Sequence, residues 1–151
     1  MPQPDLSGAV AVVTGASSGI GAAFARALVA EGAVAVLLVA RRAERLAALS
    51  EELGPAARVL AVDLSTPEGC QQLIAAVPQV DLLVNNAGIL VPGFFDVEAA
   101  RAPQALLTTV DLNCRAVVAL CVAFLGTVLV TTAGGSGDET ESSLIGNLIV
   151  L

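Results

Sequence analysis

Lysine, histidine and tyrosine are all absent from the 151 residues. Without the first two, the chain lacks the side chains that most often serve as general bases, Schiff-base amines or nitrogen ligands for metals. No metal site is expected, and the acidic residues Asp138, Glu139 and Glu141 read as a solvated loop among glycine and serine. The cations are seven arginines set against fourteen acids, a formal charge of -7 that repels nucleic acid. Cysteine is scarce too: Cys70, Cys114 and Cys121 form no CxxC pair, are odd in number and lie in apolar surroundings. They read as reduced core thiols of a cytoplasmic protein. The first residues, MPQPDLSG, lack a basic region followed by an apolar stretch, so no secretory signal is expected.

What remains is apolar. Hydrophobic residues make up 56% of the chain and charged residues 14%, at the size of one ordinary domain. Residues 116–137 carry no charge and approach the length of a membrane span. Gly126 and Thr127 interrupt them, and 131–137 is polar or glycine, so the reading is a buried helix followed by a buried strand, with no membrane partner.

Short apolar runs at 9–13, 34–39, 58–62, 80–84 and 128–130 have the character of strands buried on both faces. Between the first four lie helical patterns: 19–31 closed by Gly32, 42–53 closed by Gly54-Pro55, and a third opening at Ser65-Thr66-Pro67-Glu68 as a Ser-x-x-Glu capping box. A long helical stretch from 97 to 125, re-started near Pro103, precedes the fifth run. Strict alternation implies an α/β fold, a Rossmann-type doubly wound parallel sheet of about five strands. It occupies 1–133, with a flexible Gly/Ser/acidic link at 134–143 and a last apolar strand at 144–151. A parallel partner for that strand needs a crossover of a dozen or more residues, usually a helix, and the link is short and helix-poor. The expectation is an edge strand that pairs antiparallel or crosses over uncovered, inviting a homo-oligomer.

Thr14-Gly15-Ala16-Ser17-Ser18-Gly19-Ile20-Gly21 lies between the first strand and the first helix. Glycines there let backbone approach a pyrophosphate, and the helix N-terminus supplies N–H donors and the positive end of a dipole. The spacing Gly-x-x-x-Gly-x-Gly resembles the short-chain dehydrogenase/reductase family. Asn85-Asn86-Ala87-Gly88, after the fourth strand, is similar to that family's NNAG motif. The resemblance implies a dinucleotide site made of Gly15, Ser17, Ser18, Gly19, Ile20, Gly21, Asn86, Ala87 and Gly88, joined by Asp63 and Leu64 at the adenine. Asp63 reads equally as a turn aspartate beside a helix cap. Where NAD-preferring relatives carry an acid for the ribose hydroxyls, this chain has Ala40 followed by Arg41 and Arg42. Arg41 offers a guanidinium to a 2'-phosphate, so NADP is the expected cofactor. The bland alternative is two solvated arginines at a helix start.

The resemblance also implies a catalytic serine beyond the fifth strand, a Tyr-x-x-x-Lys pair on the next helix, and a helical asparagine that supports the proton relay. Asn113 falls at the asparagine position, where a helix asparagine satisfied by backbone is an equal reading, and Thr131 and Thr132 stand near the serine. Tyrosine and lysine exist nowhere in the chain, and a second copy cannot restore them. Loss of a general acid-base typically costs about 10²- to 10⁴-fold in rate. The expectation is an NADP-binding domain, truncated relative to the family, that acts on a small carbonyl or hydroxyl substrate only if turnover survives. A non-catalytic interaction protein, or a truncated or engineered fragment with a vestigial site, is the alternative.

Overall fold

The computed structural model describes residues 6–90, 101–124 and 149–150. Runs such as VAVVT can be apolar at every position only where both faces of a strand are covered, and that is their place here. β1 (Val10–Thr14), β2 (Ala35–Ala40), β3 (Ala57–Ala61), β4 (Leu82–Asn85) and β5 (Ile149–Val150) form one sheet in the order β3-β2-β1-β4-β5. Every pairing is parallel, with Val12 registered against Leu37 on one side and Leu83 on the other.

Successive strand residues point to opposite faces, and the core divides accordingly. Val13, Val36, Leu38 and Val84 pack with Ala22, Ala25 and Leu28 of α1 (Gly19–Ala30) and Leu46 and Leu49 of α2 (Ala43–Leu53). Val12, Leu37, Val39 and Leu83 pack on the other face with Cys70 and Leu73 of α3 (Pro67–Ala76) and Leu112, Ala116 and Leu120 of α4 (Pro103–Phe124). Each fully buried leucine or valine contributes roughly 1.5–3 kcal/mol of transfer free energy. The doubly wound expectation is met.

Two local expectations are corrected and two details are added. β1 and β2 run one residue later than the apolar runs suggested, β3 one earlier, and β4 spans Leu82–Asn85, because ladder pairing and not hydrophobicity sets the ends. The cap of α3 is Thr66 rather than Ser65: Pro67 takes the first helical position, and Thr66 Oγ1 accepts from Gly69 N at 3.1 Å. Helix α4 is not uniform, since Asp111–Ala116 is a π-helical turn within it. Of the two placements expected for the last strand, antiparallel pairing is set aside: β5 is parallel to β4, with Val84 opposite Ile149 and Asn85 opposite Val150. The strand expected at 128–130 lies outside the described residues, as do 97–100, 131–148 and 151.

By length and composition α4 would suffice to cross a membrane. Leu112, Ala116 and Leu120 are buried on the sheet, while Leu107, Val110, Val118 and Val122 are exposed.

Candidate nucleotide-binding site

β1 ends at Thr14 and α1 begins at Gly19, so four residues carry the chain from strand to helix. Gly15 (φ 69°) and Gly19 (φ 58°) take the left-handed backbone that this tight passage needs. The glycines have different uses. A Cβ on Gly21 would stand 2.4 Å from the Gly15 carbonyl oxygen and 2.5 Å from Asn86 Nδ2, so Gly21 lets α1 close against the end of β4. At Gly19 a Cβ would meet nothing within 4 Å, so open space lies over the start of the helix. The α1 N-cap, Ser18, makes no side-chain cap hydrogen bond, and the first turn holds no acid. The positive end of the helix is thus left for an external anion.

Thr14 fastens this loop to the neighbouring strand. Its buried hydroxyl donates to the Val84 carbonyl (3.2 Å) and accepts from the N–H groups of Asn86 (2.9 Å) and Ala87 (3.0 Å). Asn86 Nδ2 donates back to the Thr14 carbonyl at 3.0 Å. Thr14 was not among the expected site residues; its position as first residue of TGASSGIG was the available signal.

At the end of β2, Arg42 turns onto the glycine loop. Its Nε and Nη2 donate to Ser17 Oγ at 3.2 and 2.9 Å, and Nη2 donates to Ser18 Oγ at 2.7 Å. Arg41 faces the other way, with Nη1 3.9 Å from Asp63 Oδ2. Asp63 Oδ1 accepts from the backbone N (2.9 Å) and hydroxyl (2.7 Å) of Ser65. Burial pushes the Asp63 carboxyl up, but the two Ser65 hydrogen bonds and the Arg41 charge outweigh it and hold the group below its ordinary value. Asp63 is therefore a turn aspartate through one oxygen, while the other faces the cleft rim. Gly69 allows this placement, since a Cβ there would come within 2.0 Å of the Asp63 carbonyl oxygen.

These elements enclose a cleft of about 310 Å³ at the carboxyl ends of the strands, beside the switch point where β1 meets β4. Every expected cofactor residue lines it except Gly19 and Gly21, which shape the turn. Val39, Ala40, Val62 and Leu112 line it as well, giving the slot an apolar wall that the motifs did not mark.

Asn113 lies on the π turn of α4. Its Nδ2 donates to the Ile89 carbonyl (2.8 Å) and its Oδ1 accepts from Ile89 N (3.0 Å), so both ends of the amide are satisfied by the backbone of one residue of the strand-following loop. Thr132 lies outside the described residues. No cluster of metal-ligating side chains occurs among the described residues.

A parallel sheet whose glycine turn, open helix N-terminus and two-arginine rim meet at the strands' carboxyl ends defines a Rossmann-type nucleotide-binding protein. Residues 9–138 match the family model for short chain dehydrogenase, and the chain belongs to that family. Among curated proteins it is 48% identical over 99 residues to the uncharacterized oxidoreductase YvaG of Bacillus subtilis, covering 62% of this chain and 37% of that one. It is 41% identical over 116 residues to a serine 3-dehydrogenase of Agrobacterium fabrum, covering 72% and 43%. Among solved structures, a metagenomic short-chain oxidoreductase in complex with NADP superposes with a TM-score of 0.73 at 38% identity, covering 85% of this chain and 60% of the other. The chain spans less than half the length of the two curated relatives.

Proposed function

We propose that this chain is an NADP(H)-binding domain of short-chain dehydrogenase type with little or no hydride transfer of its own. The observation that carries the reading is Arg42, drawn across the glycine loop by Ser17 and Ser18 at the position where Ala40 leaves no competing carboxylate. A guanidinium so held is a ready partner for a 2'-phosphate, and Arg41 adds a second positive charge on the same rim. The residues fit the cofactor in three further respects: the uncapped start of α1 for the pyrophosphate, the apolar slot for adenine, and Asp63 Oδ2, beside Arg41 on the rim, for its amino group. When bound, the cofactor supplies the hydride; the chain's own contribution is to bind and orient it. NADP in the metagenomic relative and NADPH in a solved L-sorbose reductase from Gluconobacter frateurii, itself 36% identical, support the same reading.

Weak catalysis follows from composition. The chain has no tyrosine and no lysine, and Asn113 spends its amide on Ile89. A small carbonyl or hydroxyl compound is the substrate class if turnover persists, and the cytoplasm the expected compartment. A second reading, a binding module that works through another polypeptide, is favoured by the outward apolar side chains Leu107, Val110, Val118 and Val122 on α4.

Titration with NADPH, followed by cofactor fluorescence, tests the first reading. Saturable binding that weakens about tenfold or more in Arg42→Ala is expected, the value of a lost charge-assisted hydrogen bond. Absence of binding by well-folded protein would reject it.

A further inference from the structure

A second cavity, of about 220 Å³, lies between α3 and the π turn of α4. Its walls follow from helical spacing. Pro67, Cys70, Gln71 and Ile74 are three and four residues apart and share one face of α3. Asp111, Arg115 and Ala119 recur at every fourth residue of α4, with Ala116 beside them. Below Arg115, α4 contributes only the methyl groups of Ala116 and Ala119 to the wall, so the two helices leave a gap there. A π turn inside an α-helix often marks a functional site, and this one borders both cavities: Leu112 lines the nucleotide cleft and Asp111 the second cavity. Leu64 is the one residue that lines both.

The polar groups of the second cavity are unequally engaged. Ser65 Oγ donates to Asp63 Oδ1 (2.7 Å), and Thr66 Oγ1 donates to the Asp63 carbonyl (2.9 Å) while accepting from Gly69 N (3.1 Å), so both hydroxyls are spent. Cys70 Sγ donates to the Leu64 carbonyl at 3.4 Å. Burial pushes the Cys70 thiol up more than the Arg115 charge pulls it down, so the thiol stays neutral, and the charge of Arg115 is felt at the cavity floor. Arg115 is paired with Asp111 through Nη1, and its side chain is 65% exposed. A guanidinium has five N–H donors, so this one pairing leaves donors at the cavity mouth. The result is an apolar chamber of Leu64, Pro67, Cys70, Ile74, Ala116 and Ala119 under a rim that donates hydrogen bonds from a cation. Its volume is about seven times the roughly 30 Å³ that a water molecule takes in the liquid, which sets the size of an occupant at about seven heavy atoms. No aromatic ring lines it to stack on an aryl group.

We propose that this cavity binds a short aliphatic monocarboxylate, with the hydrocarbon chain among Cys70, Ile74 and Ala119 and the carboxylate on Arg115. The site stands back to back with the nucleotide cleft across Leu64 and takes a ligand of different chemistry.

Calorimetric titration of the full chain with sodium hexanoate tests this, with acetate, hexanol and hexylamine as comparisons. Hexanoate is expected to saturate one site with a dissociation constant of about 1 mM or tighter. Acetate lacks the chain, hexanol the charge, and hexylamine has the wrong charge; each is expected to bind more than about tenfold more weakly. Ala119→Leu, at an exposed helical position where the larger side chain fills the cavity, is expected to abolish hexanoate binding. Arg115→Gln is expected to weaken it about tenfold, and Arg42→Ala, in the other cleft, to leave it unchanged. Thermal melts verify that each variant is folded. Failure of hexanoate to saturate the folded parent overturns the proposal, as does equal binding of hexanol or hexylamine, or full affinity in Ala119→Leu or Arg115→Gln. Binding lost in Arg42→Ala but kept in Ala119→Leu would place the carboxylate in the nucleotide cleft and overturn it too. NADPH binding is measured separately, so this proposal and the NADP(H) reading fail independently.

Discussion

The Thr14 hydroxyl donates once and accepts twice, and so joins the end of β1 to the first two residues of the loop after β4. A single buried oxygen thereby fixes two walls of the cleft. Asp63 does the same for the third wall, and its behaviour is open to titration. Its carboxyl lies below its ordinary value in the folded chain, the Ser65 hydrogen bonds and Arg41 prevailing over burial. A depressed folded value means that Asp63 stabilises the fold above its unfolded value of about 3.9 and that this contribution disappears as pH falls through the lower folded value. Asp63→Asn is therefore expected to be less stable than the parent at pH 7, with the two converging as pH drops below about 4. The side chain is 41% exposed, so solvent screening limits the difference at neutral pH to no more than about 1 kcal/mol. Denaturant melts across pH 2 to 7 measure it, and curves that stay parallel throughout would remove Asp63 from this role.

At the scale of elements, the site depends on a join that no local pattern announces. Asn113 ties α4 to the backbone N–H and C=O of Ile89, directly after the Asn-Asn-Ala-Gly segment, and does so from a π turn that adds a residue to the helical circuit. Asn113→Ala removes two hydrogen bonds and returns the Ile89 peptide to water, at a cost of about 1–2 kcal/mol. Gly88 packs beneath the same amide, its would-be Cβ 3.3 Å from Asn113 Oδ1, so loosening the loop is expected to weaken nucleotide binding a few-fold as well. Thermal melts and an NADPH titration of the variant measure both, and unchanged values in each would show that the loop holds its shape without the amide. The strands and the glycine turn were legible in the sequence because burial on both faces demands unbroken apolar runs and because left-handed backbone demands glycine. The partner of each arginine was not. Arg41 and Arg42 are adjacent, and the sequence does not mark that Arg42 reaches Ser17 while Arg41 turns to Asp63. The parallel placement of Ile149–Val150 was hidden likewise, since two residues hold no directional signal and their partner lies 65 positions earlier, at Val84 and Asn85.

For the whole molecule, binding and turnover should separate. A ligand that binds only the folded state raises stability by RT ln(1 + [L]/Kd), about 2.7 kcal/mol at a hundredfold excess over Kd. For a chain of this length that corresponds to a rise in Tm of roughly 5–10 °C. NADPH should deliver this rise through residues the chain possesses: Arg42, the open start of α1 and the apolar slot. Under the reading proposed above, turnover would need a proton donor beside the reacting oxygen and a cation to tune it, and the chain offers no tyrosine, lysine or histidine for those roles. Incubation with NADPH and a panel of small aldehydes, ketones and β-keto thioesters is accordingly expected to show the thermal shift without measurable NADPH oxidation. The two readouts are independent. A shift accompanied by steady oxidation would reveal a proton donor among the threonines and carboxylates, and Thr132→Ala would then be the first variant to examine. Oxidation abolished by that substitution, with the thermal shift retained, would place the chemistry there and reverse the assignment of weak catalysis, while leaving the nucleotide cleft as described.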